Sequence, residues 1–268
     1  MRPQLLIWIS IILIALGLWV YWKVDTESNT IDYIQYSIIN KYPHSTNSYI
    51  QGLFFDGDIL YESTGSPSYL TQTESVLGIL DLATGKIDTK VKLDRDIYFG
   101  EGSTILKDKI YQLTYKNQKG FVYDVKTFEQ IQTFEFESRE GWGLTNDGEK
   151  LIMSDGTDKI TYLDPNNFTA TRQLSVKYQN KPQYNLNELE YVSGYIYANI
   201  YQTNKIIKIN PVNGEIIRIL DLNQLVNQLM KDKPNIAELN GIAYRASTET
   251  FFITGKLWPY IYELKLQN

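Results

Sequence analysis

The sequence predicts an all-β protein: a five-bladed β-propeller preceded by an N-terminal transmembrane helix. Three observations carry that prediction. A local pattern recurs five times, at a period of about 40 to 50 residues, as propeller blades do. Each recurrence reads as short strands separated by turn signals. The 21 tyrosines and 5 tryptophans among 268 residues favour strands over helices.

The units open on Gln51-Gly52-Leu53, Glu101-Gly102-Ser103, Trp142-Gly143-Leu144, Glu188-Leu189-Glu190 and Asn240-Gly241-Ile242. Turn signals come next, at Asp56-Gly57, Lys107-Asp108, Asp147-Gly148, Ser193-Gly194 and Ser247-Thr248. Second, apolar strands succeed them, at 59–61, 109–113, 151–153, 195–200 and 251–253. Four units continue into a third strand that ends in a turn, at Leu80-Asp81, Tyr123-Asp124, Leu163-Asp164 and Ile209-Asn210. A fourth strand completes the unit, as at 86–93 and 215–220. Residues 223–231 have helical spacing and predict a short helix between the fourth and fifth units. The fifth unit runs out after three strands near Leu266, while an extra strand at 31–39 precedes the first. The expected closure places that early strand in the fifth blade, which removes an open edge. An ordinary β-sandwich is the alternative.

Residues 5–22 carry no charge and are about long enough to cross a bilayer. Arg2 precedes the run, and Asp25 and Glu27 come after Lys23, so the charge bias puts the N-terminus inside. Trp19, Tyr21 and Trp22 fit an interfacial belt. The run is not succeeded by a small-residue cleavage site. The expected organisation is a membrane anchor or signal segment (1–23), a linker (24–32) and the propeller (33–268). The propeller is expected outside the cytoplasm, membrane-anchored, or secreted or periplasmic if the segment is cleaved. The net charge of −5 speaks against nucleic acid. With no cysteine, thiolate nucleophiles and zinc–thiolate sites are excluded. One histidine, His44, leaves no multi-histidine metal site. A monomer is expected.

In a propeller the first strand of each blade lines the channel and its neighbour runs antiparallel. The start of the first strand and the end of the second therefore meet at one mouth. The starts carry Gln51, Glu101, Trp142, Glu188 with Asn187 beside it, and Asn240. Counting along the second strands gives Gly65, Tyr115, Gly156, Tyr201 and Lys256, while Phe99 and Tyr49 lie just before two starts. One mouth thus gathers carboxylates, amides, a lysine and aromatic rings, the composition of a small-ligand pocket. Each member also has a plainer reading. Trp142 could be packing, Glu188 and Glu190 solvated rim charges, and Lys256 a surface ammonium.

At these residues the chain resembles the plant- and bacterial-type glutaminyl cyclases, or glutamine cyclotransferases. The motifs are Gln51-Gly52-Leu53, Phe99-Gly100-Glu101-Gly102, Glu140-Gly141-Trp142-Gly143-Leu144-Thr145 and Leu186-Asn187-Glu188-Leu189-Glu190. They continue with Ala198-Asn199-Ile200-Tyr201-Gln202-Thr203, Leu239-Asn240-Gly241-Ile242-Ala243 and Thr254-Gly255-Lys256-Leu257-Trp258-Pro259. The resemblance implies a five-bladed propeller that cyclises the N-terminal glutamine of peptides and proteins to pyroglutamate, releasing ammonia. It implies catalytic or polar roles for Gln51, Glu101, Asn187 and Lys256, and substrate-binding rings at Phe99 and Trp142. Tyr115 and Tyr201 stand where the family has pocket tryptophans, and Tyr49-Ile50 where it has Phe-Thr. No metal or organic cofactor is required by this chemistry. Two alternatives stand beside it. One is a metal-dependent propeller hydrolase, lactonase-like, drawing on Glu101, Asn187, Glu188 and Asn240 as Ca²⁺ ligands. The other is a non-catalytic exported binding module.

Overall fold

The computed structural model describes residues 32–267. The described residues begin with β1 (Asp32–Tyr33) and β2 (Tyr36–Pro43), which belong to the last two blades. Blade 1 is β3 (Ile50–Asp56), β4 (Ile59–Thr64), β5 (Val76–Asp81) and β6 (Lys86–Lys92). Blade 2 is β7 (Gly100–Leu106), β8 (Lys109–Thr114), β9 (Lys119–Asp124) and β10 (Gln130–Glu135). Blade 3 is β11 (Leu144–Asn146), β12 (Leu151–Ser154), β13 (Lys159–Leu163) and β14 (Ala170–Ser175). A hairpin of β15 (Lys177–Tyr178) and β16 (Lys181–Pro182) leads to blade 4. That blade is β17 (Leu186–Val192), β18 (Tyr195–Ile200), β19 (Lys205–Ile209) and β20 (Ile216–Asp221). Helix α1 (Asn223–Asp232) buries Leu225, Val226 and Leu229 before blade 5. Blade 5 is β21 (Leu239–Arg245), β22 (Thr250–Gly255) and β23 (Tyr260–Leu266), completed by β2.

The innermost strands touch in sequence, β3 to β7 to β11 to β17 to β21 and back to β3, and so close a ring. Burial falls outward across each blade: β3 is buried along most of its length, whereas β6 is largely exposed. The third turn of four blades repeats one chemical device. The side-chain oxygens of Asp81, Asp124, Asp164 and Asn210 each accept the backbone N–H two residues on, at 2.9 Å. These are Asx-turns, the physical content of the repeated motif.

The ring closes as expected, with β2 antiparallel to β23 from Tyr36↔Leu266 to Pro43↔Tyr260. The early segment nevertheless divides. β1 departs from the predicted strand 31–39 and pairs in parallel with β20, adding a fifth strand to blade 4. Arg218 holds Asp32 there at 2.8 Å, and Ile34 enters the core beside α1. His44 locks the closure. Its Nδ1 donates to the Trp258 carbonyl at 2.9 Å and its Nε2 to Glu62 at 3.0 Å. Two acceptors facing the two ring nitrogens favour the charged imidazolium, and the pKa is raised accordingly. Ser48 donates its hydroxyl to Glu62 rather than to the imidazole, so the trio is a clamp and not a nucleophilic triad.

No helix among the described residues is long and apolar enough to cross a membrane. The predicted anchor (1–23) and the linker up to residue 31 lie outside the described residues.

Candidate active site

Four of the five innermost strands carry a register shift at their start: 50/52 in β3, 100/103 in β7, 186/189 in β17 and 239/242 in β21. A bulge of this kind re-aims side chains at a sheet's end. The shifts fall on Gln51, Glu101, Asn187–Glu188 and Asn240, the polar residues of the mouth.

They open onto a pocket of about 310 Å³. Nine of the residues singled out from the sequence line it: Gln51, Glu101, Asn187 and Lys256 among the polar groups, and Tyr49, Phe99, Tyr115, Trp142 and Tyr201 among the rings. Three residues of the loop after β4, Pro67, Ser68 and Tyr69, complete the wall.

Glu101 is only 4% exposed. Burial pushes its carboxyl well above the ordinary range; the Lys256 charge pulls back down and Glu140 adds to the rise. Gln51 donates its amide to Glu101 at 3.2 Å and is itself held by Asn240 Nδ2, 3.0 Å from its Oε1. The Lys256 ammonium lies 4.8 Å from the ring centroids of both Tyr49 and Tyr201. Burial lowers its pKa, opposed by the charges of Glu101 and Glu238. The rings pack edge-on or tilted: Tyr49–Phe99 at 6.0 Å, Phe99–Tyr115 at 5.8 Å and Trp142–Tyr201 at 5.4 Å. Trp142 also donates its indole N–H to Glu140 at 3.0 Å. Trp142 and Lys256 are therefore pocket residues, and their plainer readings fail.

Two glycines make the rings' places. A Cβ on Gly65 would stand 1.9 Å from Phe99, and one on Gly156 would stand 2.7 Å from Trp142. Two serines fix the polar backbone. Ser63 donates to the Glu101 carbonyl at 2.6 Å, and Ser154 to the Asn187 carbonyl at 2.7 Å, each from the preceding blade. Ser63 is held in turn by Gln112, and Gln112 by the Tyr123 hydroxyl, at 3.0 Å each.

Two mouth residues predicted from register lie elsewhere. Glu188 is buried in the channel, where it accepts the backbone N–H groups of Leu53 and Ile242 at 3.2 and 2.8 Å. Glu190 accepts the Tyr244 N–H at 2.9 Å, and burial pushes it up to about 8. Neither is a solvated rim charge; both tie blades together. The bulge in β17 is the cause, since it turns Asn187 to the pocket and Glu188 inward. Asn240 lies behind Gln51 rather than in the pocket lining. Glu188, one of the four oxygen donors a Ca²⁺ site would use, is thus engaged by backbone N–H groups, whereas Asn240 uses its Nδ2 and its Oδ1 is buried without a hydrogen-bond partner. Among the described residues no three His, Cys, Asp or Glu side chains are grouped to hold a metal.

The family model described as glutamine cyclotransferase matches residues 11–266. The chain belongs to the glutamine cyclotransferase family. A glutaminyl-peptide cyclotransferase of Arabidopsis thaliana is 35% identical over 233 residues, which cover 86% of this chain and 71% of that protein. The crystal structure of Myxococcus xanthus glutaminyl cyclase aligns at a TM-score of 0.80 with 30% identity, over 89% of this chain and 99% of that one. Membership in the glutamine cyclotransferases accounts for the propeller and for the pocket at its mouth. The tyrosines at 115 and 201 keep an aromatic wall while adding hydroxyls.

Proposed function

We propose that this chain is a glutaminyl-peptide cyclotransferase, converting the N-terminal glutamine of peptides and proteins to pyroglutamate with release of ammonia. The observation that carries the reading is a buried carboxyl, Glu101, that shares an aromatic pocket with the buried amine of Lys256.

In this reading the substrate α-amine attacks its own side-chain amide carbon. A C–N bond forms, and the amine proton passes to the Glu101 carboxylate. Glu101 then delivers that proton to the amide nitrogen, the second C–N bond breaks, and ammonia leaves. One carboxylate serves as base and then acid, a task helped by the burial that raises the Glu101 pKa above the ordinary carboxylate range. Negative charge develops on the amide oxygen and needs fixed donors. Gln51 is committed to Glu101, so that task falls to Lys256 and Asn187. Phe99, Tyr115, Trp142, Tyr201 and Tyr49 hold the side-chain stem and favour the bent, pre-cyclic conformer.

The same reading places residues 1–23 as a membrane anchor, with a monomeric propeller on the extracytoplasmic side. The uncharged run at 5–22 and its flanking charges support it. Membrane fractionation of the full chain with protease protection tests location.

The test of the activity is ammonia release from a short peptide with N-terminal glutamine, with and without EDTA. The expected result is chelator-insensitive release and loss of one ammonia from the peptide mass. Release abolished by EDTA favours the metal-dependent alternative, and a folded protein with no turnover favours the binding module. Glu101→Gln is expected to lower the rate by roughly 10²–10⁴; near-wild-type turnover would remove Glu101 from the mechanism.

A further inference from the structure

Beside the pocket runs a second cavity, a groove of about 460 Å³. The two share a wall, and at two places consecutive residues line its opposite sides. Tyr69 and Lys256 line the pocket, whereas Leu70 and Leu257 line the groove. The wall is held stiffly. The Arg95 guanidinium donates to the carbonyls of Pro67, Leu70, Thr71 and Thr73 at 3.0 to 3.5 Å. Leu257 has a φ of 61°, a conformation a leucine adopts only when its surroundings impose it. Its N–H is pinned to the Ser48 carbonyl at 2.8 Å. That left-handed turn is what sends Lys256 to one cavity and Leu257 to the other.

The groove is apolar along its floor, with Leu70, Ile236, Leu257 and Pro259 half-buried. The exposed amides of Asn47 and Asn235 flank it. Apolar side chains beside free amides suit an extended peptide, which offers side chains and backbone hydrogen-bonding groups in alternation. The groove is a cavity next to the pocket across that wall, and a peptide whose first residue fills the pocket reaches it by crossing the wall.

We propose that this groove binds the second and third residues of the substrate, next to its N-terminal glutamine, and that it selects for apolar side chains there. The proposal rests on the cyclotransferase reading. It makes the enzyme selective among N-terminal glutamine peptides rather than indifferent to their second and third residues.

The experiment compares kcat/KM for glutaminamide, Gln-Gly-Gly-amide and Gln-Leu-Leu-amide, using the full chain. The expected result is a preference of about tenfold for the leucine peptide over the glycine peptide, the discrimination a methylene-scale apolar contact supplies. Leu257→Asn keeps a residue that tolerates the left-handed backbone while removing the apolar surface. Ile236→Ser alters the groove without touching that turn. Both variants are expected to bring the ratio close to one. A wild-type ratio near one, with glutaminamide still turned over, would overturn the groove's role and leave the cyclotransferase reading intact. A preference that survives both variants would also overturn it. No ammonia from any of the three substrates would overturn the cyclotransferase reading and the groove's role with it.

Discussion

At the scale of single residues, the pocket sets two titrations against each other. Glu101 is raised by burial and must lose its proton to act as base, so the rate should climb with pH through a midpoint above the ordinary carboxylate range. Lys256 is lowered by burial, so its positive charge is lost earlier than an ordinary lysine's, and the rate should fall on the alkaline side. The substrate amine, ordinarily near ~8, also titrates on the acid limb. Variants separate the contributions. Lys256→Met should move the acid midpoint up, because the lysine favours ionised Glu101. Glu140→Gln should move it down, because Glu140 opposes that ionisation. An acid limb that stays in place in both variants would count against Glu101 as the titrating group. These residues are readable in the sequence because each occupies the same position of an independent repeat. Pro67, Ser68 and Tyr69 are not, since their loop has no counterpart in the other units. Ser63 and Ser154 escape notice too, because a strand serine carries no mark of the carbonyl it will hold.

At the scale of strands, the ends of β4 and β12 matter as much as the bulges. Each passes into a glycine on which a pocket ring rests, Gly65 under Phe99 and Gly156 under Trp142. Gly65→Ala would drive the Phe99 ring off that floor and into the cavity. The expected result is a KM for glutaminyl peptides raised about tenfold or more, with a smaller change in thermal stability. An unchanged KM would mean that the ring finds another place outside the pocket. Counting along the second strands locates these positions because β4, β12 and their equivalents run without bulges up to the mouth. Reading the starts of the first strands misplaces Glu188, because a one-residue shift in β17 reverses which side chain faces which cavity. The bulges of β3, β7 and β21 leave only a weak signal, a glycine beside a polar residue at a strand start, and that of β17 has no glycine at all.

At the scale of the whole molecule, His44 and Glu190 make stability depend on pH in the same direction. Burial alone would depress His44, but the Glu62 charge and hydrogen bond and the Trp258 carbonyl outweigh it, so its pKa is raised from 6.5. Its contribution is fully present below 6.5 and is lost as pH rises through the raised value. Glu190 acts in the same direction, stabilising below 4.5 and losing that contribution as pH rises through about 8. The melting temperature should therefore fall as the medium is made alkaline. His44→Gln should reduce the unfolding free energy most at mildly acidic pH, by about 3–5 kcal/mol, because Glu62 is left buried without its counter-charge. The dependence on pH should also become shallower. Parallel curves for the variant and the parent would show that His44 is not the charged group. The five blades and their closure are foreseeable from period and turn chemistry. The departure of β1 to blade 4 is not, because a two-residue strand has no periodicity to read.

The pairing of Tyr36 with Leu266 also dictates an order of events during biosynthesis. A ribosome releases β2 long before β23, so the strand that seals the circle waits through the synthesis of the blades between them for its partner. Until then its edge is unpaired, and a chaperone or a neighbouring nascent chain can compete for it. Because β2 and β23 finish side by side, a circularly permuted gene that links these two strands and opens the exposed Val212-Asn213 turn would make them neighbours in sequence. It would shorten the wait without altering the finished ring.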